Sequence, residues 1–258
     1  MSADPVRSFS RKIMSDIPAS HPRYKSLITR EQLAGYAKSG VVSMEGLTSH
    51  GRGEAFDYLF GEKTSASALE AEKLAARVLL AAKHPVLSIN GNTAALAAHD
   101  IAQLQKASGA EVEVNLFHRT EERMTLVTNL LEEASCIVSK GQVERCVPLP
   151  HARGLCRPDG IGSADVVLVP LEDGDRCEAL VSMGKLVITV DLNPIDRTSK
   201  TAILPIIDEV TRALPNIALE CDRLKASGET VTMPEIDARY FLRQALKDIQ
   251  AFISHAMD

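Results

Sequence analysis

The chain reads as an α/β protein of three layers, a mostly parallel sheet with helices on both faces, extended by further helices at its N- and C-terminal ends. Three observations point there. Short apolar, β-branched runs at 86–89, 112–116, 166–169, 186–190 and 203–207 alternate with alanine-rich or amphipathic stretches, as repeated strand–helix–strand units do. The runs at 166–169 and 186–190 lack polar alternation, so the sheet is expected to be covered on both faces. Between 166–169 and 186–190 there is room for one short helix, and two strands joined in that way pair in parallel through a crossover. The expected architecture is therefore Rossmann-like, with ligands held beyond the carboxyl ends of the strands.

Taken in order, residues 1–19 are polar, mildly basic and interrupted by Pro5 and Pro18, and read as a mobile extension ahead of a single domain over 20–258. SHPRYKSLITREQL (20–33) leads into a helix for which Thr29 is a candidate N-cap. A glycine-punctuated stretch then runs to HGRGEAFDYLFGEKT (50–64). Residues 67–83 form a helix stopped at His84-Pro85, and the strand at 86–89 runs into NGNTAAL (90–96). A helix around 101–106 is closed by Gly109. The strand at 112–116 leads to FHRTEER, where Thr120 can cap a helix reaching Glu133. A further short strand is expected at 136–139. Residues 140–162, with Pro148, Pro150 and Pro158, read as a long loop, either functional or disordered. The short helix at 176–183 is ended by Gly184. Helices follow at 210–226, broken near Pro215, and at 234–257. In the last, Leu242, Ala245, Leu246, Ile249, Phe252, Ile253 and Ala256 share a stripe that covers the core or a second subunit.

Composition narrows the function. At 258 residues with 45% hydrophobic and 24% charged content, the chain can bury a full core. A net charge of −5 gives no general attraction to nucleic acid or to an anionic membrane, and zero tryptophan with 4% aromatic residues argues against a base-stacking surface. Five cysteines without a CxxC pair favour free thiols in a reducing cytoplasm over a disulfide framework or a zinc site. No segment reads as a membrane span or signal peptide. The glycine fingerprint of dinucleotide sites, the phosphate loop, the serine-hydrolase elbow and the metalloprotease helix are all missing.

What remains is polar loops at strand ends. PLEDGDR (170–176) and DLNPIDRT (191–198) carry carboxylates, an amide and arginines at the binding edge. Asp173 and Asp175 suit a magnesium ion held through water, or capping of the helix that follows. Asp191 stands where a strand-end carboxylate meets a ribose hydroxyl, Asn193 reads an adenine edge or holds its own turn, and Arg197 and Thr198 offer phosphate contacts. NGNTAAL suits an anion held by backbone N–H groups, or a plain turn. Arg52 is a bidentate phosphate partner, or an ion-pair partner of Glu54 or Asp57. Arg119 ends a strand on the ligand side, and His151 and Arg153 lie in the long loop.

The blocks SHPRY, HGRGEAFDYL, SINGNTAAL, EVNLFHRTEER, ADVVLVPLEDGDR and VITVDLNPIDRT resemble, in that order, the archaeal 4-phosphopantoate–β-alanine ligase family, also called archaeal phosphopantothenate synthetase. The resemblance runs from about residue 20 to about residue 214. It implies a homodimeric enzyme that joins 4-phosphopantoate to β-alanine with ATP as co-substrate and Mg2+ accompanying it. AMP and diphosphate are released through an acyl-adenylate, on a route to coenzyme A. It places ATP contacts at Arg30, Arg52, Asp191, Leu192, Asn193, Arg197, Thr198, Glu209 and Val210. Glu209 departs from the amide that relatives carry there. Arg30, Arg52 and Arg197 are then candidates for the triphosphate, with Arg52 and Arg197 stabilising the charge that develops. Strand-end placement suggests Asn90, Gly91, Asn92, Arg119 and Arg153 for phosphopantoate, and His118 or His151 to accept the amine proton. The rival readings are an ADP-forming carboxylate–amine ligase and a nucleotide-binding regulator without chemistry.

Overall fold

The structure, a computed structural model, describes residues 17–255 apart from residue 22. Most of the expected extension at 1–19, and Ala256 of the C-terminal stripe, therefore fall outside the described residues. Five strands form one sheet: β1 (Pro85–Ile89), β2 (Glu111–Val114), β5 (Val166–Pro170), β6 (Leu186–Asp191) and β7 (Leu204–Ile207). Their order is β2-β1-β5-β6-β7 and every pairing is parallel. The chain leaves β1 for the β2 edge, then returns to lay β5, β6 and β7 on the other side. The reversal between β1 and β5 opens a crevice at the carboxyl ends, the position where doubly wound sheets bind ligands.

Period-two alternation divides the strands between two cores. Leu87, Ile89, Val112, Val114, Val166, Leu168, Ile188, Val190, Leu204 and Ile206 belong to one, with the helices α3 (Ala66–Ala81), α4 (Gly91–Ser108), α5 (Glu121–Glu133) and α8 (Val210–Ser227). Val86, Val167, Val169 and Val187 belong to the other, with Cys177 and Leu180 of α6 (Gly174–Ser182) and with Val147, Cys156 and Ile161. Both faces are covered, as the unbroken apolar runs require. The remaining helices are α1 (Tyr24–Lys38), α2 (Met44–Leu59), the single turn α7 (Arg197–Thr201) and α9 (Ala238–Ser254).

Side-chain caps fix most helix starts. Ser65, Asn90, Thr120, Asp173, Asp196 and Asp237 each accept a backbone N–H from the first turn. Four local expectations change. Thr29 lies inside α1, whose N-cap position is Arg23, so it caps nothing. The glycine-punctuated stretch is helix α2, begun by Ser43, whose side chain accepts from Gly46 N–H. The strand expected at 136–139 contributes a single bridge, between Val112 and Val138. Pro215 does not break α8, which runs on through it; packing of α8 against α3 and α4 outweighs the one lost hydrogen bond.

The long loop is ordered by one buried carboxylate. Glu113 of β2 accepts Arg157 N–H and Ile161 N–H, both at 2.8 Å. A two-residue antiparallel ribbon, β3 (Glu144–Arg145) with β4 (Leu155–Cys156), closes the rest. Arg153 is thereby carried to the sheet's carboxyl edge.

Candidate active site

The carboxyl ends of β1, β5, β6 and β7 form the floor of a cleft of about 740 Å³, and α2 forms its roof. The roof is pinned at both ends. Near its start, the Asn92 amide donates to Gly46 O at 2.8 Å. The approach is close: a Cβ on Gly46 would stand 2.3 Å from Asn92 Oδ1, so a larger residue there would displace the Asn92 side chain. Near its end, the Arg212 guanidinium donates to both Asp57 oxygens (2.6 and 3.1 Å) and twice to Asp208 Oδ1 (2.6 and 2.9 Å). The eleven residue steps from Gly46 to Asp57 rise roughly 16 Å, and the three spacings from β1 to β7 cover roughly 14 Å. Helix α2 therefore crosses the whole floor.

Asp208 is the buried hub at the β7 end. It also accepts from Thr64 Oγ1 at 2.6 Å and from Glu209 N–H at 2.8 Å. Behind it, burial and then the Asp208 charge push Glu72 up to about 9, so Glu72 is a neutral acid at pH 7. Glu209 lines the cleft beside Val210. Its carboxylate accepts Thr211 N–H and caps α8, and burial raises its pKa. At the β6 end, Asp191 Oδ1 accepts Asn193 N–H at 2.9 Å, and Asn193 Oδ1 accepts Ile195 N–H at 3.0 Å. Asn193 thus holds its own turn while lining the cleft with Leu192. Burial, reinforced by Asp196, pushes Asp191 up to about 7 against the opposing pull of the Asn193 and Leu192 N–H groups and Arg52.

In the middle of the floor, the Asn90 side chain is fully occupied. Its oxygen accepts Thr93 N–H and its amide donates to Pro170 O and Leu171 O, both at 3.0 Å. That grip holds Leu171 in the left-handed region, φ +54°, which a leucine rarely enters. Glu172 lies buried between the Arg153 and Arg176 guanidiniums. Burial raises its pKa, but the two cations outweigh burial and bring it down to about 2. Arg153 also donates to Asn115 O at 2.8 Å, while its Nε makes no hydrogen bond and lies 3.8 Å from Asp173 Oδ2.

Several residues expected at the site stand elsewhere. Arg30 projects from α1 onto Glu54 and Tyr58 and does not line the cleft. Arg197 turns out to Asp175 and Glu178, its stem lying across Gly174. Thr198 is buried, donating to Glu172 O. Arg119 does not line the cleft, and His151 stacks on Phe117 outside it. Of the three arginines expected around one triphosphate, only Arg52 lines the cleft, because Arg30 and Arg197 have acidic partners that draw them away. Asp173 caps α6 and also lines the cleft, whereas Asp175 pairs with Arg197 in the first turn of that helix.

Among the lining residues that the sequence did not single out, His50 and Arg123 bear most on the chemistry. His50 reaches the cleft from mid-α2, and burial lowers its pKa, which favours the neutral imidazole. Arg123 lines the cleft where Arg119 was expected. The Thr120 cap was the available signal, since it puts Arg123 in the first turn of α5, turned toward Gly40 and Val41. His118 also lines the cleft, 3.5 Å from Glu45.

Fold and cleft together define a doubly wound α/β protein with a cleft lined by arginines at the switch point of its sheet. Residues 67–252 match the family model described as phosphopantothenate/pantothenate synthetase, and the chain belongs to that family. A relative from Methanospirillum hungatei named 4-phosphopantoate–β-alanine ligase is 61% identical over 94% of this chain and 100% of its own length. Relatives of the same name from Methanosarcina mazei and Thermococcus kodakarensis are each 48% identical. They match over 92% and 79% of this chain and 95% and 79% of their own lengths. Among the described residues, no helix is long and apolar enough to cross a membrane, and no three His, Cys, Asp or Glu side chains are grouped to hold a metal ion.

Proposed function

We propose that this chain joins 4-phosphopantoate to β-alanine at the expense of ATP, giving 4′-phosphopantothenate for coenzyme A synthesis. The observation that carries the reading is the 61% identity to a ligase of that name across its entire length. The cleft suits the chemistry. ATP lies over the β6–β7 ends, with Arg52 reaching its phosphates from the roof and Asp191, Leu192, Asn193, Glu209 and Val210 around the nucleoside. The phosphopantoate carboxylate attacks the α-phosphorus, an acyl–O–P bond forms, and the bond to the β-phosphate breaks to release diphosphate. The β-alanine amine then attacks the acyl carbon, the acyl–O bond breaks, AMP leaves, and the nitrogen gives up one proton. His50 takes that proton, being a neutral imidazole over the middle of the floor; His118 is the second imidazole in reach.

Magnesium fits this cleft as a companion of the triphosphate. It needs only one or two carboxylates besides phosphate oxygens, and no denser acidic group is present among the described residues. Bound there, it supplies charge neutralisation on the phosphates. The enzyme works in the cytoplasm as a homodimer on this reading. Incubation with 4-phosphopantoate, β-alanine and ATP is expected to release AMP and diphosphate with the amide product. Release of ADP and phosphate instead overturns the adenylate route, and no turnover with tight ATP binding retained points to a regulator.

A further inference from the structure

Three arginines line the cleft, and they are not equivalent. Arg153 is paired with buried Glu172, which it shares with Arg176, and its Nε lies 3.8 Å from Asp173 Oδ2. Arg52 is exposed on α2 and takes no part in the ion pairs among the described residues. Arg123 is half-buried and makes no direct ion pair among the described residues; the Glu45 carboxylate acts on it only through space, being exposed and 3.5 Å from His118. Its guanidinium is instead fixed by three backbone carbonyls, Gly40 O at 3.1 Å, His118 O at 2.7 Å and Val41 O at 3.0 Å. Those bonds use three of its five N–H groups and leave two donors and a full charge for a ligand.

Position separates the two unneutralised cations. Arg52 faces the β6 end: neighbouring Gly53 approaches Leu192, and Arg52 pulls the Asp191 pKa down. Arg123 stands at the β1–β2 end, against Gly91, where an added Cβ would meet its Nη2 at 3.1 Å. With β5 between them, the β1 and β6 ends lie roughly 10 Å apart, and the β2 and β7 edges roughly 19 Å. One triphosphate over β6–β7 leaves the far end, with its own cation, for another anion.

We propose that Arg123 holds the phosphoryl group of the acyl substrate at the β1–β2 end of the cleft, so that the carboxylate at the other end of that substrate points inward toward ATP. This assignment rests on the ligase reading and goes beyond it, because it makes Arg123 the residue that selects phosphorylated over unphosphorylated pantoate. A rigidly held guanidinium with two free donors matches a phosphoryl dianion, whereas a hydroxyl in its place leaves the charge unmet.

The test uses the full-length protein, wild type and the Arg123→Met and Arg123→Lys variants, each checked by thermal melting. Calorimetric titration is run with 4-phosphopantoate, with pantoate and with ATP. Loss of a charge-assisted pair is expected to weaken phosphopantoate binding by about 30-fold in Arg123→Met, with partial retention in Arg123→Lys and ATP binding unchanged. The preference for phosphopantoate over pantoate collapses in step. If Arg123→Met fails to fold, the Arg123→Lys titration decides alone, since it keeps the charge and loses the fork. Undiminished phosphopantoate binding, or a loss that falls on ATP instead, overturns the assignment. Wild-type protein that binds no phosphopantoate and releases no AMP overturns the ligase reading itself, a different result from either.

Discussion

Helices α2 and α8 both border the cleft and are held there by opposite means. Helix α8 buries Val210, Ala213, Leu214, Ile217, Ala218, Cys221 and Leu224, packed against α3 and α4. Helix α2 has one buried residue, and that residue is Asp57. Apolar burial is non-directional and joins α8 to the common core. Helix α2 depends on a few directed polar bonds: Asn92 at one end, Arg212 at the other, and Glu54 to α1. The difference shows that the floor and the roof can fail separately, although one residue of α8 holds both.

The largest effect is expected for Arg212→Met. It leaves Asp57 and Asp208 facing each other without a cation, a loss of about 3 kcal/mol by the usual cost of breaking a buried pair. Hydrogen exchange then shows protection lost first along α2. Ile217→Ala is expected to cost a similar ~3 kcal/mol by cavity formation, with protection lost everywhere at once. If the two variants give the same exchange pattern, roof and floor are one unit and the comparison fails.

A smaller effect separates the floor by pH. Asp191 has a folded pKa of about 7 against an ordinary 3.8. Its contribution is therefore full below the unfolded value and is lost as pH rises through 7. Urea denaturation between pH 5 and pH 8 is expected to show this decline, and Asp191→Asn to flatten it. An unchanged slope in the Asn variant assigns the titration to another group. The smallest effect belongs to Arg197→Ala. The Arg197 side chain is 59% exposed and its two pairs lie at the surface, so stability should move by less than about 1 kcal/mol. A larger drop in urea denaturation would give that corner a structural weight the geometry denies it.

The floor was legible because its signals are local. Apolar runs located the strands, Asp173 declared the start of α6 three residues ahead of Arg176, and the DLNPIDRT loop fell at the end of β6. The roof was not, because α2 has no apolar stripe to read and carries Gly46, Gly51 and Gly53 within its length. What holds it comes from residues far along the chain, Asn92 and Arg212. Arg119 precedes the N-cap Thr120 and Arg123 lies in the first turn that follows it, so the cap decides which of the two the helix aims. Arg30 and Arg197 looked available in sequence because nothing local reveals that Glu54, Asp175 and Glu178 meet them after folding.

Asn90 and Gly91 form a dipeptide whose asparagine, in a loose chain, cyclises on the following backbone nitrogen and ages to aspartate. Here both ends of the amide are engaged and Gly91 already belongs to a helix, so the folded protein shields its own weakest bond. An aspartate at that position could not donate to the Pro170 and Leu171 carbonyls. The shelf life of the cleft is therefore set by how rarely this corner opens.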